Sequence, residues 1–542
     1  MFASSPFFPG GGIMPAPSNF TIDSALPISV NWRATEAGPR SGKNQNTGQR
    51  LVLGAEGLLR GWDYSAAFAY NENKLVETLT GGYSNDALIV LGMAGGIINP
   101  FGPQTVAGAD YITGAALRGR LQTAQGRVTS LDLRASREVG RWFGSAPAAA
   151  LAVGAELRRE KFFDDINAPV ASQAGSTGVD PDSDVAGSRH VSAVYGELNV
   201  PFTNRIDATL ALRHDRYSDF GATTNPKLAL RWRPTDTLLA RATYSRGFRA
   251  PSLYELYQPK FLTFTAGQYD DPVLCPGGVP AANADASRDC NQQFLTQAGG
   301  NRKLRPEKAQ NLSLGVVLEP IAGTTLGVDY WRIRLQNSIA VLPEQAVFAD
   351  PVSYAPRFVR APGGELGYYI ANNDNLGDTR TEGIDVQAAH RTRFMGGSLS
   401  LSAIGSYVMK YGYQREIGGP FIQNVGRFSD TGAVLRWKHT LQATHAREAW
   451  SVGLAQRYQR GYDDENFVAP AFVNRVGAYE VWDLYGSVSP MKALTLNFGV
   501  RNLFDKDPPQ SNQTQTFQAG YDPRYTDPTG RAVFLRASFA FR

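Results

Sequence analysis

The chain has 542 residues, with 54 Lys and Arg against 49 Asp and Glu, which gives a net charge of +5. So balanced a charge on this length is typical of a mixed surface and excludes the basic footprint of a nucleic-acid-binding protein. The longest mainly apolar run, 87–98, has 12 residues and holds three glycines, whereas a membrane-spanning helix needs about 18 apolar residues. The composition therefore argues against a helical membrane protein, and its 56 Gly, 28 Phe and 23 Tyr favour many strands and tight turns.

The first stretch of the chain carries no Lys or Arg before Arg33, and no charged region is followed by an apolar core. This pattern does not predict a signal peptide. If the rest of the chain belongs in an outer membrane, the natural precursor is expected to begin further upstream.

From residue 48 onward, amphipathic stretches follow one another in pairs. Ile206, Leu210 and Leu212, for example, alternate with Asp207 and Arg213. Side chains alternate across a strand, so one face can meet lipid and the other a polar lumen, over about 10 residues. The predicted pairs are 48–58 with 61–72, 126–139 with 145–159, 190–200 with 204–217, 224–233 with 237–248, 308–319 with 324–336, 378–391 with 397–410, 431–445 with 449–460, and 479–489 with 492–504.

The connections sort into short and long ones. Short connections such as 201–205 and 490–493 are expected at a periplasmic rim, and long ones such as 249–307 and 337–377 are expected to be extracellular loops. A soluble β-sandwich would also alternate, but its connections would not sort in this way. The prediction is an all-β fold, an antiparallel transmembrane β-barrel with about 17–18 strands present.

The last strand, 531–542, follows alone. Val533, Leu535, Ala537 and Phe539 share one face, and Arg536 with its alternate neighbours shares the other. With an odd strand count, the strands 48–58 and 531–542 would run in the same direction and could not close an antiparallel barrel. Either part of the barrel is missing, or residues 26–35 supply one more strand.

Catalytic and metal-binding patterns are weak. The five histidines include no i, i+4 pair of the kind that binds zinc on a helix, and His214 and Asp215 should point to opposite faces of their strand. The carboxylates that alternate with apolar residues fit the wall of a wet channel better than an acid pair; these are Asp207, Asp215, Glu156 and Asp329. We expect no catalytic residue, no metal site and no cofactor.

The loop 249–307 has the highest density of recognition chemistry. Aromatic faces and arginines bind planar, anionic or metal-chelating ligands by stacking and by charge-assisted hydrogen bonds. The alternative is that the first part, 249–257, braces the base of the loop, which would leave the residues beyond Lys260 to set specificity. The candidate ligand-binding residues are Arg249, Tyr254, Tyr257, Phe261, Phe264 and Tyr269.

Cys275 and Cys290 are the only cysteines and lie in this same loop. In an oxidising compartment they predict a disulfide, which would constrain the unfolded loop by about 3 kcal/mol. A redox or metal site would need a CxxC spacing or a nearby histidine, and neither is present.

Several segments resemble the barrel of TonB-dependent outer-membrane receptors. They are R-H-D-R-Y-S-D-F-G-A-T-T-N-P-K-L-A-L-R-W-R-P from Arg213, Y-S-R-G-F-R-A-P-S-L-Y-E-L-Y from Tyr244, G-N-R-K-L-R-P-E-K-A-Q-N from Gly300, D-N-L-G-D-T-R-T-E-G-I-D-V from Asp374, and F-G-V-R-N-L-F-D-K-D-P-P from Phe498. They occur in the family's order, and the resemblance covers nearly all of the chain.

The resemblance implies a barrel of about 22 strands around a plugged lumen. We therefore expect residues 1–47 to be part of an early extracellular loop region and residues 48–542 to be the receptor β-barrel domain, with the signal, the plug and about five strands lying upstream. The family usually ends on an aromatic residue, whereas here Phe541 is followed by Arg542.

The resemblance also implies a function. Such receptors sit in the outer membrane of Gram-negative bacteria, contact its lipid, and take up scarce, bulky nutrients with energy from the TonB complex. A ferric siderophore or similar metal chelate is the favoured ligand here. A passive porin would share the barrel but lack the R-G-F-R-A-P-S-L and V-R-N-L-F-D segments, and an outer-membrane enzyme would need a Ser-His or paired-Asp site that this sequence does not assemble.

Overall fold

The computed structural model describes residues 3–541, apart from 4, 12, 19–20, 26–27, 29, 31, 145–146, 431, 465–473, 514–515 and 517–519. The strands are β1 Ser41–Leu59, β2 Trp62–Gly81, β3 Gly119–Glu138, β4 Ala150–Ile166, β5 Val185–Pro201, β6 Ile206–Tyr217, β7 Gly221–Thr235, β8 Leu238–Arg249, β9 Phe261–Phe264, β10 Leu295–Ala298, β11 Glu307–Leu318, β12 Thr324–Gln336, β13 Ile339–Val341, β14 Phe358–Arg360, β15 Leu366–Ile370, β16 Asn373–Asn375, β17 Thr379–Phe394, β18 Gly397–Tyr413, β19 Ile422–Gln423, β20 Phe428–Ser429, β21 Gly432–Ala433, β22 Trp437–Arg447, β23 Trp450–Gln459, β24 Tyr462–Asp463, β25 Arg475–Val476, β26 Tyr479–Met491, β27 Leu494–Arg501 and β28 Ala532–Phe539.

The helices lie between the long strands. They are α1 Asp86–Ala94, α2 Val106–Gly114, α3 Ala168–Ala171, α4 Leu253–Tyr257, α5 Ala286–Asp289 and α6 Glu344–Ala349, with short 3-10 turns at Thr35–Ala37, Gly175–Thr177, Pro276–Gly278 and Ala355–Arg357. The apolar run 87–98 falls largely in α1. Within the described residues, no helix has both the length and the apolar character needed to cross a membrane.

One sheet of 18 strands dominates the fold. One of these strands, β19, has only two residues. The other 17 form a continuous antiparallel meander in which each long strand pairs with the long strands before and after it in the chain. Their order matches the predicted order of strands, and the all-β antiparallel prediction is confirmed.

Short connections join the strands at one end of the sheet, and the longest of them, 139–149, lies between β3 and β4. The two-residue turn between β1 and β2 has positive φ at both Arg60 and Gly61, and the turn between β17 and β18 has positive φ at Met395 and Gly396. Positive φ at both central residues is the signature of a type I′ turn, whose twist matches that of a β-hairpin. Glycine adopts a positive φ without steric cost. This is the end predicted as periplasmic.

The opposite end carries the long loops, with one exception. Only three residues, 218–220, connect β6 to β7 there. The loops 250–306 and 337–378 contain secondary structure of their own, including the short strands β9, β10 and β13–β16. This is the end predicted as extracellular.

The two faces of the sheet differ in chemistry. On one, Leu210 pairs with Leu228 and Leu228 with Tyr244, and all three are exposed. On the other, Asp207 pairs with Arg231 and Arg231 with Arg241. We call these the apolar face and the polar face; in β28 they place Leu535 beside Phe498 and Arg536 beside Asn497, as the alternation predicts.

Some strand limits differ from the predictions. β1 begins at Ser41 rather than 48, because its hairpin with β2 extends as far as Gly81. The strand predicted from 431 begins at Trp437, since Ala433 is buried instead among loop residues with Tyr462 and Val476. Of the segment 26–35, positions 26, 27, 29 and 31 lie outside the described residues, as does the terminal 542, and the remaining positions of that segment hold no strand.

The edges of the sheet are β1 and β28. In the part of the chain that the structure describes, β1 pairs with β2 and β28 pairs with β27, and no register joins the two edges. Every residue of β1 is exposed. With 17 alternating strands between and including them, these two edges run in the same direction, as the strand count predicts.

Candidate ligand-binding surface

Two extracellular loops fold together into one assembly, which we call the loop assembly and define as residues 250–306 and 337–378. A four-stranded sheet in the order β14-β15-β10-β9 contains strands from both loops. β10 pairs with β15 in parallel and with β9 antiparallel, so the contact between the loops is made by backbone hydrogen bonds. The loops thus form a structured platform rather than separate excursions.

The loop assembly has its own apolar core. Leu342, Val347 and Tyr369 are buried, and Phe348 packs against them. The ring of Tyr269 stacks on Phe348 with centroids 4.3 Å apart and planes 12° apart. Of the six candidate ligand residues, Tyr269 is the one that packs against this core, and it is half-buried there.

Burial also shifts the acids and phenols of this core. It raises the pKa of Tyr369 to about 12. It also raises the pKa of the Glu344 carboxyl, although that carboxylate accepts a hydrogen bond of 2.9 Å from the backbone N–H of Ala266. Glu344 begins α6 and so links the second loop to the first.

The first candidate residue, Arg249, fixes the base of the loop. Its Nε donates to Glu307 at 2.7 Å and its Nη1 to Glu255 at 3.0 Å. Glu255 also closes a capping box with Ser252 at the start of α4. Both acceptors belong to the protein, so Arg249 lies where the bracing alternative expects it.

The other aromatic candidates differ in exposure. Tyr257 packs over Gly187, and the guanidinium of Arg302 lies 4.9 Å from its ring centre. Phe261 is half-buried beside Ala298, its partner on β10. Tyr254 is 50% exposed and Phe264 is 61% exposed, which makes these two the aromatic surfaces open to a ligand.

Sequence reasoning missed a group of cations close to Tyr257. Arg302, Lys303 and Arg305 follow one another in the G-N-R-K-L-R segment and are all exposed. Among the described residues none of the three has an ion-pair partner, whereas other loop arginines do: Arg357 pairs with Asp374, and Arg360 with Asp271. The sequence could have indicated this group, because Arg302, Lys303 and Arg305 lie within four positions with no acidic residue between them.

Two segments that carry the family resemblance hold each other. Asn301 donates to the carboxylate of Asp374 at 2.9 Å. Asn375 donates to the carbonyl of Arg305 at 2.8 Å and accepts from the N–H of Arg305 at 2.7 Å. The G-N-R-K-L-R and D-N-L-G-D segments therefore form a clamp that fixes where the loop cations lie.

The chain leaves the end of α4 at Gln258 and returns beside α4 at Gly300, just before the clamp begins. The N–H of Gly300 donates to the carbonyl of Gln258 at 2.9 Å, and that of Asn301 to the carbonyl of Glu255 at 2.9 Å. Residues 259–299 are thus an excursion whose two ends are hydrogen-bonded to each other. Within it, Cys275 and Cys290 are joined by a disulfide with Cα atoms 5.5 Å apart.

The polar face of the sheet is lined by ion pairs. Each predicted channel-wall carboxylate has an arginine partner that the sequence analysis did not assign: Glu156 with Arg158 and Arg213, Asp215 with Arg213, Asp207 with Arg231, and Asp329 with Arg241. His214 lies on the opposite face from Asp215 and contacts Thr224 at 2.8 Å. The carboxylates thus belong to charge networks of the wall.

One of these pairs crosses an intervening strand. Arg241 on β8 and Asp329 on β12 meet over Gly315 of β11, with Arg241 Nη2 2.6 Å from Asp329 Oδ2. A Cβ atom at Gly315 would lie 2.0 Å from Asp329 Oδ1. The glycine is required here by the ion pair that passes over it.

The meander, its apolar face and its structured loops define a transmembrane β-barrel of the receptor type. The family described as "TonB dependent receptor-like, beta-barrel" matches residues 4–503. The chain belongs to this family, whose members are β-barrel receptors of the Gram-negative outer membrane.

Curated relatives include two from Pseudomonas aeruginosa. The chain is 25% identical over 399 residues to the ferric enterobactin receptor PirA, covering 72% of this chain and 47% of that one. It is 24% identical over 459 residues to a second ferric enterobactin receptor, covering 82% of this chain and 52% of that one. The chain thus spans about half the length of the curated relatives it matches.

Solved structures agree on the fold. The crystal structure of the siderophore receptor PirA from Acinetobacter baumannii has a TM-score of 0.60 at 14% identity, covering 92% of this chain and 63% of that one. The ferric enterobactin receptor PfeA from P. aeruginosa, in complex with BCV-L6, has a TM-score of 0.61 at 17% identity, with 92% and 63% covered.

Proposed function

We propose that this chain forms the ligand-capturing barrel of an outer-membrane receptor for a ferric siderophore or a similar metal chelate. The observation that carries the proposal is the exposed cationic segment of Arg302, Lys303 and Arg305, which the clamp holds beside the aromatic residues of α4. The names of the curated relatives, which are ferric enterobactin receptors, support the same class of ligand.

The chemistry follows from the contacts. A ferric chelate with an anionic rim is attracted by unpaired Lys and Arg, and flat ligand rings stack on exposed aromatic faces. We assign the charge to the three loop cations and the stacking to Tyr254 and Phe264. Arg249, Tyr257 and Tyr269 act by positioning the surface, because each is engaged by other parts of the protein.

The binding proposal is tested with the refolded chain in detergent and ferric enterobactin as the probe. We expect the triple variant R302Q/K303Q/R305Q to bind at least tenfold more weakly, because each lost charge removes about 1 kcal/mol or more of charge-assisted hydrogen bonding. A matched control replaces three exposed cations at the opposite end of the sheet: R60Q/R141Q/K492Q. Equal affinity of the wild type and the loop variant would contradict the assignment.

We also propose the energy-transducing TonB complex as the partner for uptake, and the division of the chain into a loop region, 1–47, and a barrel domain, 48–542. Uptake of ferric enterobactin by cells that express the complete natural precursor, with and without functional TonB, tests the partner. Uptake that is independent of TonB would favour a passive channel over a receptor of this family.

A further inference from the structure

A groove of about 680 Å³ lies on the apolar face, across β2 to β6, towards the extracellular end. It follows two neighbouring cross-strand rows. The lower row contains Phe68, Leu131 and Leu157, which pair in succession across β2, β3 and β4, and all three are exposed. This end of the groove is continuous with the lipid-facing surface.

The upper part of the groove is basic. Leu157 pairs with Ser192 and Ser192 with Arg216, so the lower row ends on an arginine. In the row above, Arg159 pairs with His190, and both are exposed. Arg159 and Arg216 stand two strands and one row apart, about 12 Å between backbones, a distance that two extended arginine side chains can close around one anion.

These two arginines differ from those on the polar face of the same strands. There Arg158, Arg189 and Arg213 each form ion pairs with carboxylates. Arg159 and Arg216 have no ion-pair partner among the residues that the structure describes. An exposed guanidinium directly above an apolar stripe is therefore left open to an anion from outside the protein.

The charge is also asymmetric along the strands. At the extracellular ends, the apolar face carries further cations on β8 to β18, namely Arg246, Lys308, Arg332, Arg380 and Lys410. Towards the periplasmic turns, the same face presents Arg137 close to the ring of Trp62, at 5.4 Å, and Arg447 paired with Trp450. Of these, Lys410 forms an ion pair with Glu382 and Arg380 one with Asp378, so Arg246, Lys308 and Arg332 are the cations without an ion-pair partner among the described residues.

We infer that this groove binds a phosphorylated glycolipid of the outer leaflet. Arg159 and Arg216 hold a headgroup phosphate, for which the planar guanidinium offers two parallel N–H donors. His190 and Ser192 supply neighbouring polar groups, and the acyl chains lie along Leu157, Leu131 and Phe68. The apolar floor selects a lipid over a soluble phosphate, because burying chain methylenes stabilises the complex only for a ligand that has them.

The test uses the full chain refolded in detergent, with bisphosphorylated hexa-acyl lipid A as the probe and native mass spectrometry as the readout. We expect the variant R159Q/R216Q to bind this lipid at least tenfold more weakly than the wild type. The matched control, R137Q/R447Q, removes two cations from the same face near the periplasmic turns and should bind as the wild type does. Heat-modifiable migration in a gel reports that each variant is folded.

Two further arms identify the source of the phosphate. Lipid A without its phosphates should bind the wild type and R159Q/R216Q with the same weak affinity, because the two arginines then have no phosphate to hold. Inorganic phosphate at millimolar concentration should not displace the phosphorylated lipid; displacement would overturn the lipid assignment in favour of a simple anion site. Equal affinity of the wild type and R159Q/R216Q for the phosphorylated lipid would overturn the site itself, and R159K/R216K, which keeps the charge, should retain most of the binding.

Discussion

Removing Arg213 should expose the energetic cost of the charge network on the polar face. Its Nη2 lies 2.8 Å from Asp215 Oδ1 and 2.8 Å from Glu156 Oε2, and Asp215 is only 2% exposed. Removing one partner of a buried ion pair costs about 3–5 kcal/mol, because the other charge stays buried without a partner. We take about 3 kcal/mol for R213Q, since the Arg213 side chain is itself 36% exposed and water can partly replace it.

The assay is urea unfolding of the refolded protein in detergent, followed by gel migration and tryptophan fluorescence. The double variant R213Q/D215N removes the stranded charge and should recover more than half of the loss. The pair R231Q and R231Q/D207N provides a comparison at a more exposed site, where both effects should be small. A loss below about 1 kcal/mol for R213Q, or no recovery in the double variant, would refute the reasoning.

Three other sites and the two cysteines yield further predictions. Leu535→Arg places a charge in the lipid-facing stripe at a cost of about 2–4 kcal/mol, whereas Ser538→Arg points to the polar face, so comparable folding yields of the two in lipid would contradict the register. Gly315→Ala should lower the free energy of unfolding by about 1–3 kcal/mol by displacing the ion pair above it, and Gly247→Ala, where a Cβ meets nothing within 4 Å, should not. Burial raises the pKa of Glu344, so the folded loop assembly favours the protonated carboxyl. The contribution of Glu344 to the stability of the loop assembly is therefore present in acid and is lost as the pH rises from the ordinary pKa of Glu through the raised pKa. Hydrogen exchange of the loop should show this loss of stability with rising pH, and E344Q should abolish the pH dependence. Mass spectrometry of unreduced peptides from protein recovered from outer membranes should find the cysteine pair joined, and two free thiols would end that prediction.

Alternation and turn length were enough to predict the architecture. A strand with one lipid-facing side must alternate, so the pairs from 190–200 to 479–489 could be placed within a few residues. The limits that failed depend on contacts made outside the strand. β1 is longer than predicted because its hairpin partner β2 pairs with it along its whole length. The strand predicted from 431 begins later, at Trp437, because Ala433 packs with Tyr462, 29 positions further along the chain.

The surface chemistry was harder to predict. The loop 249–307 was singled out as rich in aromatic residues, but sequence alone could not show that Tyr269 would stack on Phe348, a residue of another loop. The partners of Asp215 and Asp329 were also missed, since cross-strand register decides which arginine each carboxylate meets. Arg302 and its neighbours were quoted for their family resemblance rather than for their charge.

The hydrogen bond between Gly300 and Gln258 has a wider consequence for how such a receptor can change its ligand. Because residues 259–299 start and finish at one fixed point, the segment can change in length without moving the strands beneath it, and its contacts with the second loop run through β10 and Tyr269. Lengthening such a segment twofold costs only about 0.6 kcal/mol of closure entropy, which is small beside the rest of the fold. New ligand selectivity can therefore be introduced by exchanging residues 259–299 together with the residues of the second loop that contact them, while the clamp that holds Arg302 and the strands beneath it stay as they are.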